Sequence, residues 1–430
     1  MNHPVGAGCS ASDVGAGFLA SKESLPAPRD LHPRQAYLSY VKPAPIFVPT
    51  TLPRSPDAIV IGGGLIGCST AYHLAKTGVR ALLIEQGDLA SGASGANFGN
   101  VQVHDAELGL SLELTLRSYA KFAALEAELD SPVGYRASGS LLLIETERQW
   151  DLLARRAEVL RAAGLRVELL DRAALRQLEP QLAPDAAIGA LYHPAEGTLD
   201  PCKLVHAYAR RGCEQGLEVW THTEVRGIQT RDDRVIGVET GRGPVSAQWV
   251  VLAAGAWTRG LGRTVGLDLP LRWVHGEALI TEPLPPLTYN AMSSAAFFEA
   301  TESAAEQTVS FCLRQRPRGN VMLGEAAFVT DRLSRRNTAA ALPAIASAGR
   351  RRLPALRRAA ILRAWAIPVA FVADSRPLLG PVEGVAGLVV AAGLKSTIIL
   401  TPLVGERVAA LMTGGEWDPR LAEFAPSRTL

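Results

Sequence analysis

Cysteine is scarce in this sequence, and long apolar runs and a charge imbalance are absent from it. The five cysteines form no C-x-x-C pair. Neither a disulfide framework nor a zinc or iron-sulfur site is therefore indicated, and we predict no metal and a reduced, cytoplasmic setting. No apolar stretch approaches the roughly 20 residues of a membrane helix, so no transmembrane segment is predicted. A net charge of +2, from 44 basic and 42 acidic side chains, gives no general attraction to nucleic acid.

Periodicity is also missing from residues 1–55, which are rich in proline, glycine, serine and alanine. Such a segment buries too little apolar surface to offset the entropy lost on ordering, so we predict a disordered N-terminal arm. The rest of the 430-residue chain, which is 47% apolar overall, is long enough for one large domain or for two domains.

The first clear motif is "DAIVIGGGLIGCSTAYHLAKTG", residues 57–78. Its short β-branched run indicates a strand buried on both faces of a parallel sheet, and a helical pattern follows that ends at Gly78. Between them Gly62, Gly64 and Gly67 form G-x-G-x-x-G, which allows a tight turn, close approach of a pyrophosphate and close helix–strand packing. The motif predicts a dinucleotide phosphate at the helix N-terminus. An ordinary βαβ turn with no ligand is the alternative.

The segments after this motif also favour a dinucleotide. A second strand, "RALLIE", ends at Glu85, near the spacing from Gly67 expected for a carboxylate that binds a ribose diol. The small residues of "ASGASGANFGN", residues 90–100, let backbone lie against a flat ligand, and Ser91, Ser94 and Asn97 can hydrogen-bond it. A flexible surface loop is the alternative interpretation of that segment.

At this point the chain resembles the D-amino-acid oxidase-like FAD oxidoreductases. That family includes glycine oxidase, sarcosine oxidase and the flavin subunits of hydrogen cyanide synthase and of opine or hydroxyproline dehydrogenases. Five segments match the family in order: the small-residue loop at residues 92–99, "YRASGSLLLIETE" from Tyr135, "AEGTLDPCKL" with Asp200 as the expected helix cap, "WVVLAAGAWT", and "WAIPVAFVADSRPLLGP" from Trp365. The resemblance covers nearly all of residues 57–415.

The resemblance implies an α/β fold with a Rossmann-like FAD-binding domain and a second, mainly antiparallel (α+β) substrate domain. We assign residues 56–100, 195–265 and 363–418 to the FAD-binding domain. Residues 101–194 and 266–362 form the predicted substrate domain, and residues 419–430 a C-terminal tail. Alternating runs at residues 271–281 and 320–328 favour an antiparallel sheet, which the resemblance places over the isoalloxazine ring.

The resemblance also implies non-covalent FAD, because Ala96 stands where some relatives attach the flavin through a histidine. His73, His104, His193 and His275 are interpreted as structural. The residues predicted to bind the cofactor are Gly62, Gly64, Leu65, Ile66, Gly67, Glu85, Gln86, Ser91, Ser94, Asn97, Gly99, Val225, Ala254, Gly255, Trp257, Gly393, Ser396 and Thr397.

Three further residues are candidates for catalysis. A guanidinium suits a substrate carboxylate, so we expect Arg314 or Arg316 to bind it, with solvated arginines at a hairpin end as the alternative. Many relatives carry another arginine where this chain has Val369. Either one arginine works alone, or the substrate is not a simple α-amino acid, or turnover is lost. Lys395 would stabilise the anionic reduced ring at its pyrimidine edge, or it faces solvent.

The function implied is oxidation of the C–N bond of a small amino acid, imino acid or opine by hydride transfer to flavin N5. Two alternatives stay open: a flavin subunit that passes electrons to an iron-sulfur or second flavin partner subunit, and a non-catalytic FAD-binding subunit. The arginine-rich run at residues 350–363 is either a solvated face or a docking surface for an acidic partner or an anionic membrane. In the docking case a partner would bring this cytoplasmic protein to a membrane.

Overall fold

The computed structural model describes residues 56–300 and 307–429, and the predicted arm at residues 1–55 lies outside the described residues. In chain order the strands are β1 Ala58–Ile61, β2 Ala81–Ile84, β3 Asn100–Val101, β4 Ser140–Ile144, β5 Glu168–Asp171, β6 Gly189–His193, β7 Gly197–Thr198, β8 Glu218–Trp220, β9 Val225–Arg231, β10 Arg234–Thr240, β11 Gly243–Ser246, β12 Trp249–Leu252, β13 Leu271–Pro283, β14 Ala291–Ser294, β15 Gln307–Gln315, β16 Asn320–Thr330, β17 Ile361–Val372, β18 Leu378–Pro381 and β19 Leu388–Ala392. The α-helices are α1 Leu65–Lys76, α2 Ala93–Ala96, α3 Leu110–Tyr119, α4 Phe122–Glu128, α5 Glu147–Ala162, α6 Arg172–Leu178, α7 Pro201–Cys213, α8 Thr258–Arg263, α9 Ala296–Ala300, α10 Ala341–Arg352 and α11 Thr397–Met412. Short 3-10 helices span Gly255–Trp257, Pro354–Arg358, Pro419–Phe424 and Pro426–Thr429.

A six-stranded sheet in the order β18-β19-β12-β1-β2-β8 forms the first layer, and its strands are parallel except for β18. Every residue of β1 is buried. Because successive side chains of a strand point to opposite faces, Ala58 and Val60 pack with α1, α7 and α11, whereas Ile59 and Ile61 pack with the sheet β11-β10-β9. Burial on both faces explains the continuous apolar run of this strand.

A second sheet of eight strands has the order β17-β13-β16-β15-β14-β4-β6-β5. Its neighbours are antiparallel apart from β14 and β4. The alternating runs predicted at residues 271–281 and 320–328 lie in β13 and β16, which pair with each other, and α10 covers this part of the sheet. A parallel Rossmann-like layer beside a mainly antiparallel one confirms the predicted fold class.

Two local predictions concern helix ends. Helix α1 ends just before Gly78, whose φ of +84° is the left-handed conformation that glycine adopts without strain. Helix α7 begins at Pro201, and the Asp200 carboxylate accepts hydrogen bonds from the amides of Cys202 and Lys203 at 3.1 and 3.3 Å. Asp200 is therefore confirmed as the cap of this helix.

One predicted boundary does not follow the sheets. Strand β17 pairs with β13 from Val372 opposite Leu271 to Ile361 opposite Thr281, so residues 361–372 belong to the eight-stranded sheet. The six-stranded sheet resumes at β18. The C-terminal residues also pack on the protein, since Leu421 and Phe424 are buried. Within the described residues, no helix has the length and apolar character needed to cross a membrane.

Candidate active site and its relatives

A cavity of about 710 Å³ begins at the carboxyl edge of the six-stranded sheet and reaches the eight-stranded sheet. Open parallel sheets bind ligands at this edge, and the volume is in the range of ligand sites, about 300–1,000 Å³. One end is lined by residues that follow β1, β2, β12 and β19, namely Gly62, Glu85, Ala253 and Gly393. The other end is lined by residues of β13, β15, β16 and β17, including Gly276, Cys312, Glu325 and Val369.

The turn between β1 and α1 has no room for side chains. Gly62 has a φ of +114°, and a Cβ added there would lie 2.5 Å from the Ala253 carbonyl oxygen. A Cβ on Gly67 would lie 1.8 Å from the Gly62 carbonyl oxygen. Glycine at these positions lets α1 approach β1 closely and leaves backbone as the surface of the cavity.

The N-terminus of α1 forms part of the cavity wall. Gly64 is the N-cap and supplies no side-chain hydrogen bond, and Leu65 and Ile66 line the cavity. The Leu65 amide donates to the Ser94 hydroxyl at 2.9 Å. The amides of a first helical turn and the helix dipole favour an anion, so this wall suits a diphosphate.

The Glu85 carboxylate is held at the end of β2 by two backbone donors. Its Oε2 accepts from the Gly63 amide at 2.7 Å, and its Oε1 accepts from the Gly87 amide at 2.8 Å. An ionised carboxylate has about four lone-pair sites, so acceptor capacity remains for ligand hydroxyl groups. The geometry suits the ribose-binding role predicted for Glu85.

Most residues predicted to bind the cofactor line the cavity. Gly67 and Gly99 do not, because both are packed against protein: a Cβ on Gly99 would lie 2.1 Å from Arg314 Nη1 and 2.2 Å from the Leu199 carbonyl oxygen. The lining residues from that set are Gly62, Gly64, Leu65, Ile66, Glu85, Gln86, Ser91, Ser94, Asn97, Val225, Ala254, Gly255, Trp257, Gly393, Ser396 and Thr397.

The two candidate substrate arginines lie outside the cavity lining. Arg314 is 5% exposed and donates from Nη1 to the Leu199 carbonyl at 2.8 Å and to the Phe98 carbonyl. Burial, with the neighbouring Arg316 charge, lowers its pKa to about 10. Arg316 Nη2 pairs with Asp200 Oδ2 at 2.8 Å. In this structure both arginines hold loops and neither lines the cavity, so the carboxylate clamp by Arg314 or Arg316 stays a prediction.

Lys395 and Val369 both line the cavity. The Lys395 ammonium pairs with Glu107 at 2.5 Å and lies 4.8 Å from the centre of the Phe297 ring. Its charge is therefore partly balanced by a carboxylate, although it remains at the cavity wall. Val369 places an apolar side chain on the wall where the resemblance expects an arginine.

Sequence reasoning did not identify the polar residues on the eight-stranded sheet. Glu325, Cys312, Ser310 and Ser293 line the cavity from adjacent strands β16, β15 and β14. Burial raises the pKa of the Glu325 carboxyl, and burial together with the Glu325 charge raises the pKa of the Cys312 thiol to about 12. The available signal was a single glutamate inside the apolar run "NVMLGEAAF".

The histidines interpreted as structural are buried and do not line the cavity. His104, 1% exposed, has Nδ1 2.9 Å from the Ser140 hydroxyl and in contact with the buried Glu196 carboxylate. The other three, His73, His193 and His275, are at most 8% exposed. Ala96 lines the cavity and its carbonyl accepts from the Trp365 indole at 3.2 Å.

The residues present fit FAD. The glycine turn leaves free the volume that side chains would fill, and the α1 N-terminus and Glu85 offer donors and acceptors of the kinds that a diphosphate and a ribose need. The buried Asn100 Oδ1 has no hydrogen-bond partner within the described part of the chain, although Asn100 lines the cavity. Buried amide oxygens are seldom left unpaired, so a donor from a bound ligand is expected there.

Known proteins are similar to this chain in sequence and in fold. The family model described as "FAD dependent oxidoreductase" (DAO) matches residues 57–411. Glycine oxidase of Geobacillus kaustophilus is 30% identical over 86% of this chain and 97% of its own length, and its crystal structure superposes with a TM-score of 0.79 over 87% of this chain and 99% of that chain. Sarcosine oxidase subunit beta of Rhizobium meliloti is 28% identical over 75% of this chain and 76% of its own length.

Some relatives are much longer. Dimethylglycine dehydrogenase of Rattus norvegicus is 27% identical over 86% of this chain, which spans only 44% of that protein. Because the family model spans most of the sequence, the chain belongs to the DAO family of FAD-dependent oxidoreductases.

Proposed function

We propose that the protein oxidises the C–N bond of a small amine or amino-acid-like substrate, giving an imine that water hydrolyses. The observation that carries the proposal is one continuous cavity that joins the glycine turn after β1 to the inner face of the eight-stranded sheet. A dinucleotide held at the first end would extend toward that sheet, where a substrate has room to bind. When bound, FAD supplies the acceptor for a hydride from the substrate carbon, at flavin N5.

The chain's own residues would bind, orient and exclude water. Gly62, Gly64 and Glu85 would hold the ADP half of FAD, and Ser91, Asn97 and the turn at Ala254 would approach the remainder. This binding is proposed to be non-covalent, since Ala96 lies at the wall and His104 is engaged with Glu196. Side chains such as Phe98, Phe297, Leu142 and Ile367 keep the substrate end largely apolar, which favours a neutral reacting nitrogen and excludes bulk water.

The substrate class follows from the names of the relatives only as a proposal. Glycine oxidase and sarcosine oxidase subunit beta are named for small α-amino acids, and the candidates for this chain are a small amino acid, an imino acid or an opine. The specificity for α-amino acids that these names indicate is not expected to carry over unchanged. Arg314 and Arg316 do not line the cavity, and Val369 is apolar.

The second candidate is a flavin subunit that transfers electrons to a partner. A relative that is itself named a subunit supports it, as do five exposed arginines within a short segment, Arg350, Arg351, Arg357, Arg358 and Arg363. An acidic iron-sulfur or second flavin subunit would complement that charge. An oxidase and a flavin subunit of this kind would oxidise the substrate in the same way at the cavity. They would differ in the final acceptor of the electrons.

Reduction of the bound flavin tests both candidates. Protein loaded with FAD is mixed without oxygen with glycine, sarcosine, D-amino acids, prolines, opines and simple amines, with free FAD as the control. Loss of the visible flavin band with any of these compounds supports the proposal, and no loss with all of them favours a non-catalytic FAD-binding subunit. Peroxide formed in air indicates an oxidase, whereas bleaching without peroxide indicates a dehydrogenase that needs a partner.

A further inference from the structure

Glu325 lines the substrate end of the cavity. It follows Gly324 on β16, and Gly324 stands opposite Ala278 of β13 on one side and Cys312 of β15 on the other. None of the described residues forms a hydrogen bond or an ion pair with its carboxylate, and the residue is half-buried at the cavity wall.

The described contacts of the cations at the cavity wall are with groups other than Glu325. Among the described lining residues the basic side chains are Arg226, Arg335 and Lys395. Arg226 lies 3.7 Å from Glu224, the Arg335 guanidinium lies 5.7 Å from the centre of the Trp257 ring, and Lys395 pairs with Glu107. None of these contacts brings a positive charge to Glu325.

The other groups that line the substrate end beside Glu325, here called the floor of the cavity, are neutral or negative. Ser293, Ser310 and Cys312 are uncharged neighbours on the sheet, and Val369 is apolar. Asp105 adds a second carboxylate at the wall, where it accepts from Gln102 at 2.6 Å and from Ser396 at 3.3 Å. A substrate carboxylate placed beside Glu325 would meet negative charge, and none of the contacts described brings a guanidinium to that point.

A carboxylate held partly out of water without a partner is unfavourable, and a cation within hydrogen-bond distance relieves the penalty. We infer that Glu325 binds a positively charged, non-reacting group of the substrate, so that the substrate is a small diamine or similar amine cation and not an α-amino acid. This inference rests on the proposed C–N oxidation and deepens it. The reacting amine enters neutral and loses a hydride from carbon and a proton from nitrogen, while the second, protonated amine stays at Glu325.

Three compounds of similar length separate the possibilities. 1,4-Diaminobutane, butylamine and 4-aminobutanoate carry a second end that is cationic, apolar or anionic. Their rates of anaerobic flavin reduction and half-saturating concentrations are measured with wild-type protein, with Glu325→Gln, and with Glu158→Gln, which changes an exposed glutamate on α5. Glycine and sarcosine are tested in parallel, and the visible flavin spectrum verifies that each variant retains FAD.

The expected result is that 1,4-diaminobutane saturates at the lowest concentration with wild-type protein. Glu325→Gln should raise that concentration by about tenfold to a hundredfold, the range of a charged hydrogen bond, and bring it close to that of butylamine. Glu158→Gln should leave it unchanged. Retention of the visible flavin spectrum and of the wild-type melting temperature by Glu325→Gln would show that the variant is folded and holds FAD.

Other results overturn the inference in distinguishable ways. If glycine, sarcosine or 4-aminobutanoate reduces the flavin better than 1,4-diaminobutane does, the proposed C–N oxidation stands and the role of Glu325 is wrong. An unchanged half-saturating concentration in Glu325→Gln leads to the same conclusion. If no compound of either kind reduces flavin that is demonstrably bound, the proposed function itself falls, and the inference falls with it.

Discussion

Replacing Gly67 with alanine is expected to reduce both the stability of the protein and its affinity for FAD. A Cβ at this position would lie 1.8 Å from the Gly62 carbonyl oxygen and 3.0 Å from its carbon. Both are backbone atoms of the turn, so no side chain can rotate away. Restoring an ordinary contact of about 3.5 Å would require α1 to move away from β1 by more than an ångström.

The size of the effect follows from overpacking. Extra methyl groups in close-packed regions cost about 1–3 kcal/mol, and the upper part of that range applies because the obstacle is backbone. At about 2 °C per kcal/mol for a chain of this size, the FAD-free protein should melt about 6 °C lower. The displaced helix N-terminus should also weaken FAD binding by at least about tenfold, the cost of one lost charged contact.

The assay combines thermal melting of FAD-free protein with titration by FAD. The matched control is Gly227→Ala on β9, where an added Cβ would meet only Thr264 at 3.6 Å, an ordinary contact, and where the residue does not line the cavity. This control should melt and bind FAD as the wild type does. If Gly67→Ala melts within about 1 °C of the wild type and binds FAD equally well, the close approach of α1 to β1 is not what shapes the site.

Arg314, Arg316 and the buried ion pair of His104 with Glu196 give further predictions. Arg314→Ala should lower the free energy of unfolding in urea by about 2–3 kcal/mol, because the buried Leu199 carbonyl and the partly buried Phe98 carbonyl lose their donor. Arg316→Ala, which removes a half-exposed ion pair, should cost less than about 1 kcal/mol and leave KM within about threefold; a large rise in KM would restore its role as a carboxylate clamp. Burial opposes the charged forms of His104 and Glu196, but their mutual attraction outweighs it, raising the pKa of His104 above 6.5 and lowering that of Glu196 from 4.5 to about 2. The stabilisation should therefore be fully present between about pH 4.5 and 6.5, fall below that window as Glu196 is protonated, and fall above it as pH passes the raised pKa of His104. The urea midpoint should vary less with pH in Glu196→Gln than in the wild type. An equal pH dependence in the two proteins would contradict a stabilising His104–Glu196 pair.

The cofactor end of the cavity was accessible to sequence reasoning because it is built by contiguous backbone. The turn at Gly62 and Gly64, the strand that ends at Glu85, and the Asp200 cap each depend on interactions within a few residues or within one βαβ unit. Steric limits on glycine and the need to satisfy helix amides fix such structures locally. The sequence therefore predicts them at nearly the correct residues.

The substrate end could not be predicted in the same way. Cys312 and Arg314 are two residues apart on β15 and share one face of the sheet, yet only Cys312 lines the cavity. Two residues of a strand span about 7 Å, and over that distance the loop at Gly99 closes against the sheet and buries Arg314. Which of the two side chains meets the cavity depends on packing between segments more than 200 residues apart, and no local pattern encodes it.

The two ends of the cavity therefore differ in how they respond to mutation. The cofactor end uses backbone amides, carbonyls and the absence of Cβ atoms, so substitutions there disturb the fold together with FAD binding. The substrate end uses side chains from several strands of one sheet, including Val369 of β17, Glu325 of β16 and Cys312 of β15. Strand pairing holds these positions in register whatever side chain each carries, so the charge at the floor can change while the cofactor site stays intact. The cofactor end therefore carries the features that the chain shares with its family. At the substrate end, the charge of Glu325 selects the substrate.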